Sequence, residues 1–263
     1  MKKKLYIAAV ILLLTAFGVS AFKVGSYFLE GKQQEERYDD LAAIVEDARN
    51  NTTQATEPAE TTAPLSTEPT EPSMLPGYKE LFELNNDVVG WIKIEGTELD
   101  YPVMQTPEEP NFYLYRDFDG NDSDRGSIYI RETCDVNRPS DNITIYGHNM
   151  KDGSMFAALN AYMDKEAWDY NSLIFFDTLT EYHTYKIFAV FKTSANIGEG
   201  FPYHRFEDAE NEEEFNTFVS TCKELSFYDT GVTPQYGDKL ICLSTCEYTL
   251  DNGRLVVAAV RIS

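Results

Sequence analysis

Two stretches decide how this chain reads. Leu240-Ile241-Cys242-Leu243-Ser244-Thr245-Cys246 is an apolar run that ends at a cysteine, and Ile143-Thr144-Ile145-Tyr146 is a second run that ends at Gly147 and then presents His148. Short runs rich in aliphatic, β-branched and aromatic residues and bounded by turn formers read as strands. Working outward, the same signal recurs over Val88–Ile94, Leu99–Met104, Ser127–Arg131, Leu173–Phe176, Tyr185–Thr193 and Leu255–Ile262. With Ile143–Tyr146 and Lys239–Ser244 this makes about eight strands separated by Gly, Asn, Asp and Pro, the pattern of a barrel or sandwich. Helices interrupt them. Ser154 reads as the cap of a helix through about Met163, and Asn211–Leu225 puts Phe215, Phe218, Val219, Cys222 and Leu225 on one face behind Glu212, Glu213 and Glu214. Tyr78–Leu84 predicts a further short helix at the entrance, so the folded domain spans 77–263.

The segments before it differ in character. Lys2, Lys3 and Lys4 precede an uncharged run from Leu5 to Phe22, roughly 27 Å as a helix and long enough to cross a bilayer core. The basic end stays in the cytoplasm, which makes 1–22 a single-pass anchor of the cell membrane and puts the rest outside. Cleavage after the small residues Val19-Ser20-Ala21, as in a signal peptide, is the competing reading; both export the domain. Residues 23–49 read as juxtamembrane and helix-compatible, with Tyr38, Leu41, Ile44, Val45 and Ala48 at helical spacing. Residues 50–76 are rich in Thr, Glu and Pro, with Pro58, Pro64, Pro69, Pro72 and Pro76, and read as a disordered stalk.

Composition limits the partners. With 22 Lys+Arg against 44 Asp+Glu the formal net charge is -22, which excludes the basic footprint that nucleic acid requires. The four cysteines, Cys134, Cys222, Cys242 and Cys246, show no small-domain disulfide framework. They are expected to be free thiols, with Cys222 in the core.

The chemistry-bearing residues sit at strand ends, where a rigid scaffold holds side chains at the solvent edge. A thiol becomes a useful nucleophile beside an imidazole or a cation. Arginine keeps its proton and serves as a fixed donor to an oxyanion or a peptide. Cys246, His148 and Arg254, which follows the Asn252-Gly253 turn, together describe acyl transfer. Taken singly, each has a bland reading as core, surface or turn residue.

Taken together, these motifs resemble the sortases of Gram-positive bacteria, class B in particular. The family's nucleophile motif Thr-Leu-x-Thr-Cys is matched by Cys242-Leu243-Ser244-Thr245-Cys246, with Cys242 departing from the common threonine. The Tyr-Gly-His-Asn-Met segment is matched in full by Tyr146–Met150 and continues into Lys151-Asp-Gly-Ser-Met-Phe. Arg254 begins the last strand, as the family's arginine does. The resemblance covers roughly Tyr78–Ser263. It implies a mostly β fold, a closed barrel of about eight strands with N-terminal helices and a long helix between the sixth and seventh strands. It also implies a cysteine transpeptidase that cleaves a C-terminal sorting motif of secreted proteins after Thr, through a thioester, and transfers them to an amine of peptidoglycan or its lipid-linked precursor.

By the same resemblance, Cys246 is the nucleophile, His148 the general acid and base, and Arg254 the donor to substrate or oxyanion. Tyr146, Ser244, Thr245 and Glu247 border the substrate groove, Asn111 and Leu114 contact the first residues of the sorting peptide, and Tyr203 lies in a segment, Asn196–Phe206, that reads either as a lid or as an ordinary connection. His183 reads as exposed. No cofactor or metal is expected: the acidic stretch Asp117–Asp124 lacks the glutamate a calcium loop requires, and Glu207-Asp208 adds only a pair. Polymerisation of pilin subunits is the alternative within the class. A hydrolytic cysteine peptidase and a non-enzymatic, stalk-presented binding module are the alternatives outside it.

Overall fold

The computed structural model describes residues 2–54 and 73–263; most of the Thr/Glu/Pro-rich stretch expected to be a stalk lies outside them. Helix α1 runs unbroken over Lys2–Gln54, so the apolar run and the charged segment after it form one element. The chain divides into two compact units between Asp40 and Leu41. In the first, Ile11, Leu12, Leu13, Leu14, Phe17 and Phe22 are all exposed, and the helix is long and apolar enough to cross a membrane.

The second unit is a closed barrel of β1 Val88–Lys93, β2 Asp100–Met104, β3 Ile128–Ile130, β4 Asn142–Tyr146, β5 Leu173–Thr178, β6 Thr184–Ser194, β7 Leu240–Glu247 and β8 Gly253–Arg261. The order around it is β1-β2-β3-β4-β7-β8-β6-β5, and β5 returns to pair with β1. Closure leaves no open sheet edge. The β2/β3 and β4/β7 pairs are parallel and the others antiparallel.

Helix α2 is Tyr78–Leu84, α3 is Lys165–Tyr170 and α4 is Glu212–Leu225, the last lying between β6 and β7 as expected. The Asn211 side chain caps α4 by accepting from the Glu214 N–H at 3.1 Å, and the three glutamates of its first turn suit the positive end of the helix dipole. Phe215, Phe218, Val219 and Cys222 are buried against Phe188, Phe191, Cys242, Val256 and Ala258. β7 therefore has core on both faces at Cys242, which is why its sequence is a continuous apolar run rather than an alternating one. Leu225, expected on the same helix face, is instead 41% exposed, because α4 ends there and Ser226 turns to extended backbone.

Two further expectations are corrected. Ser154 caps no helix: its hydroxyl donates to Asp152 at 2.7 Å and accepts from Arg125 at 2.9 Å, and Phe156–Met163 winds as a 3-10 helix. His183 is buried, not exposed. The Thr178 hydroxyl accepts from the Thr180 and Glu181 N–H groups, which turns the chain back so that the His183 N–H reaches Asp177.

The compact domain begins earlier than the expected boundary at Gly77. Leu41 and Val45 are buried, and Gly77, at φ 83°, lies so close to α1 that a Cβ there would sit 2.8 Å from Ala48 Cβ. Arg49 pairs with Oδ2 of the buried Asp177, and the same oxygen accepts from Tyr78 Oη at 2.7 Å. The last turns of α1 belong to the barrel's own packing.

Candidate active site

Strand register brings the distant motifs to one end of the barrel. β4 and β7 pair Tyr146 with Ser244, so Gly147 and His148 leave β4 level with Thr245 and Cys246. β7 and β8 pair Cys246 with Arg254, and directly opposed residues project to the same face with Cβ atoms about 4.5–5.5 Å apart. Cross-bonds tie the chain leaving β4 to β7: Gly147 N–H to Ser244 O at 3.2 Å, Thr245 Oγ1 to Gly147 O at 2.8 Å and Asn149 Nδ2 to Cys246 O at 2.9 Å. Position 147 must be glycine, because a Cβ there would come within 2.5 Å of Ile128 Cδ1 and 2.7 Å of Phe156 Cγ.

Of the four thiols, all free, only Cys246 is partly accessible. Burial pushes the Cys134 thiol up to about 11 and raises those of Cys222 and Cys242 well above the ordinary thiol value, so all three are neutral. His148 is half-buried, with Nε2 2.8 Å from Leu114 O and the Tyr115 ring 5.8 Å from its own. The Arg254 guanidinium is tied to the turn before it, through Asn252 Oδ1 at 3.1 Å and Gly253 O at 2.9 Å. Glu247 braces that turn by accepting from Thr249 and Leu250 N–H groups and pairing with Lys192 at 2.9 Å. Burial pushes the Glu247 carboxyl up, but Lys192 and the Thr249 donors outweigh it and hold it below the usual range.

A partly accessible thiol, an imidazole and a fixed guanidinium at one barrel end are the parts that acyl transfer through a covalent thioester requires. Residues 92–262 match the sortase domain family, and the chain is 32% identical over 251 residues to sortase B of Listeria monocytogenes, covering 94% of this chain and 92% of that one. The chain belongs to the sortases, class B. Sortase B of Staphylococcus aureus is 27% identical over 262 residues, 98% of each chain. The solved Staphylococcus aureus sortase B-substrate complex superposes with a TM-score of 0.74 at 27% identity, over 89% of this chain and 99% of that one. This class B sortase is accordingly a cysteine transpeptidase.

In the sortase the expected groove residues fall into two groups. Tyr146 is half-buried, Asn111 exposed and Leu114 half-buried, the last two beginning and lying within a 3-10 turn at Phe112–Tyr115. The Tyr203, Ser244, Thr245 and Glu247 side chains are buried instead. Tyr203 Oη bonds Ser244 Oγ at 2.5 Å, and burial raises its phenol to about 12. All four are covered side chains with partners inside the protein: Thr245 Oγ1 donates to Gly147 O, and Glu247 pairs with Lys192. The Asn196–Phe206 segment is a packed connection in its second half, where Phe201, Tyr203 and Phe206 join the α4 core.

Tyr129 was not legible as a site residue. Its phenol, raised by burial and by the nearby Glu132 carboxylate, donates to Asn111 Oδ1 at 3.1 Å, and its ring lies 5.4 Å from that of Tyr146. Its one sequence signal is an aromatic between two isoleucines, which describes any strand. Of the acidic stretch, Asp117 accepts from Asn121 and Asp122 pairs with Arg116. Among the described residues no group of three or more His, Cys, Asp or Glu is arranged to hold a metal.

Proposed function

We propose that this sortase is held by its N-terminal helix in the cell membrane, with the barrel outside, and joins secreted proteins to a peptidoglycan amine. Cys246 attacks the carbonyl of a sorting-motif threonine, Arg254 donates to the developing oxyanion, and His148 protonates the departing amine. The resulting thioester is then taken by an amine of the wall peptide or its lipid-linked precursor. What supports this reading is the strand register that sets Arg254 directly across from Cys246 and brings the β4 end, with His148, level with them. Tyr146, Asn111 and Leu114 are the proposed peptide contacts.

The test is incubation of the chain with a library of fluorescent sorting-motif peptides and amine acceptors, read by mass. Cleavage after threonine with an amide product is expected, and its loss in Cys246→Ala. An acid product unaffected by added amine would mark a hydrolase, a lysine side-chain product a pilin polymerase, and intact peptide throughout would defeat the reading.

A further inference from the structure

The Leu114 carbonyl is aimed at the imidazole. Its neighbours in the 3-10 turn are satisfied by main-chain donors: Tyr113 O accepts from Ser127 N–H at 2.9 Å and Tyr115 O from Ser123 N–H at 3.0 Å. Leu114 O, between them, meets His148 Nε2 at 2.8 Å. A carbonyl oxygen has no hydrogen to give, so Nε2 must carry the hydrogen of this bond. Nδ1 makes no hydrogen bond among the described residues. Both partners are held: the His148 carbonyl accepts from Phe156 N–H at 2.9 Å, and the turn leans on Gly126. At φ 58°, Gly126 lies so close that a Cβ would clash with the Leu114 carbonyl oxygen and sit 2.8 Å from Tyr113 O. The Tyr113 phenol donates to Asp87 at 2.9 Å and accepts from Asn85 at 2.8 Å, fixing the turn from its other side.

We propose that the Leu114 main-chain carbonyl is a positioning group that locks neutral His148 in the Nε2–H tautomer, making Nδ1 the nitrogen that shuttles the proton. The inference rests on the roles of Cys246 and His148 proposed above. In the first half-reaction Nδ1 takes the Sγ proton, sulfur bonds to the threonine carbonyl carbon, and the carbonyl π pair moves to oxygen. As that pair returns, the C–N bond breaks and Nδ1 delivers the proton to the departing nitrogen. In the second half Nδ1 takes a proton from the amine as its nitrogen bonds to the thioester carbon and the π pair moves to oxygen; as that pair returns the C–S bond breaks, and Nδ1 gives the proton to sulfur. Nε2 keeps its hydrogen on Leu114 O throughout. Because Leu114 is also a proposed peptide contact, substrate binding and the histidine's orientation share one turn.

The chain has three histidines, so 15N-histidine labelling of the detergent-solubilised full chain gives a spectrum that His183→Gln and His204→Gln assign. Neutral His148 is expected to show a pyrrole-type Nε2 and a pyridine-type Nδ1. A wild-type spectrum with the Nδ1–H tautomer, or an even mixture, overturns the proposal. Gly126→Ala, which pushes on the carbonyl, is expected to mix the tautomers and lower kcat by about tenfold or more. Gly120→Ala, in equally left-handed backbone at φ 79° but with nothing within 4 Å of the added carbon, is expected to change neither. Wild-type tautomer and kcat in folded Gly126→Ala also overturn it. Should Gly126→Ala fail to fold, the wild-type spectrum decides alone. A wild-type Nε2–H signal with no peptide cleavage would sink the proposed reaction and leave the tautomer assignment intact.

Discussion

At the scale of single residues, Arg254 is the most exacting position. Its guanidinium is tethered through Nη1 to Asn252 Oδ1 and Gly253 O, leaving the other donors of its planar fork to face substrate, which a lysine ammonium on a flexible stem does not reproduce. Arg254→Lys is expected to lower kcat by about 10²–10³, the loss typical of removing one oxyanion donor, with an unchanged melting temperature as the control. Glu247 makes a pH prediction. Its folded carboxyl titrates below the ordinary range, so the stability it contributes is present above the unfolded value of about 4.3 and disappears as pH falls through the lower folded value. Melting curves of wild type and Glu247→Gln should therefore differ at pH 7 and converge towards pH 3. That Cys246, His148 and Arg254 are candidates for one site was readable because each belongs to a contiguous motif, and strand register brings those motifs to one barrel end. Tyr129 and the Leu114 carbonyl were not, since each owes its position to chain far away in sequence.

At the scale of elements, α4 was legible nearly to the residue, because a capping asparagine, an acidic first turn and a helical apolar stripe all agree. Its packing is correspondingly sensitive. Phe218 is 4% exposed and stacks on Phe206 at 4.1 Å between ring centroids, so Phe218→Ala is expected to destabilise the domain by about 3–5 kcal/mol in denaturant melts. Ser154 shows where local signals fail. Serine before an apolar stretch is a good cap on paper, but Asp152 and Arg125 compete for the hydroxyl, and Arg125 lies in a different loop. Tyr203 fails for a similar reason: a tyrosine in a polar connection looks exposed until Ser244 on β7 supplies a buried partner for its phenol.

At the scale of the whole molecule, the stretch from Leu41 to Arg49 is part of the catalytic domain's fold rather than a spacer ahead of it. Asp177 is 2% exposed and takes Tyr78 and Arg49 as partners. Arg49→Ala leaves that carboxylate with one fewer donor, at a cost of about 1–3 kcal/mol. In a double-mutant cycle, Arg49→Ala combined with Asp177→Asn is expected to cost less than the two single changes added together. Additive losses would show that the pair is incidental.

By itself the amino-acid order determined what depends on near neighbours: the strand runs, the α4 stripe, the apolar N-terminal helix, and the motifs holding Cys246, His148 and Arg254. Tertiary structure alone decided which side chains are covered and which nitrogen faces which oxygen. Burial of Tyr203, Ser244, Thr245 and His183, the docking of Arg49 on Asp177, and the contact between Leu114 and His148 each join segments that meet only when the barrel closes. Periodicity along a chain records the face a residue takes, whereas a hydrogen bond across strands depends on register, which no local pattern encodes.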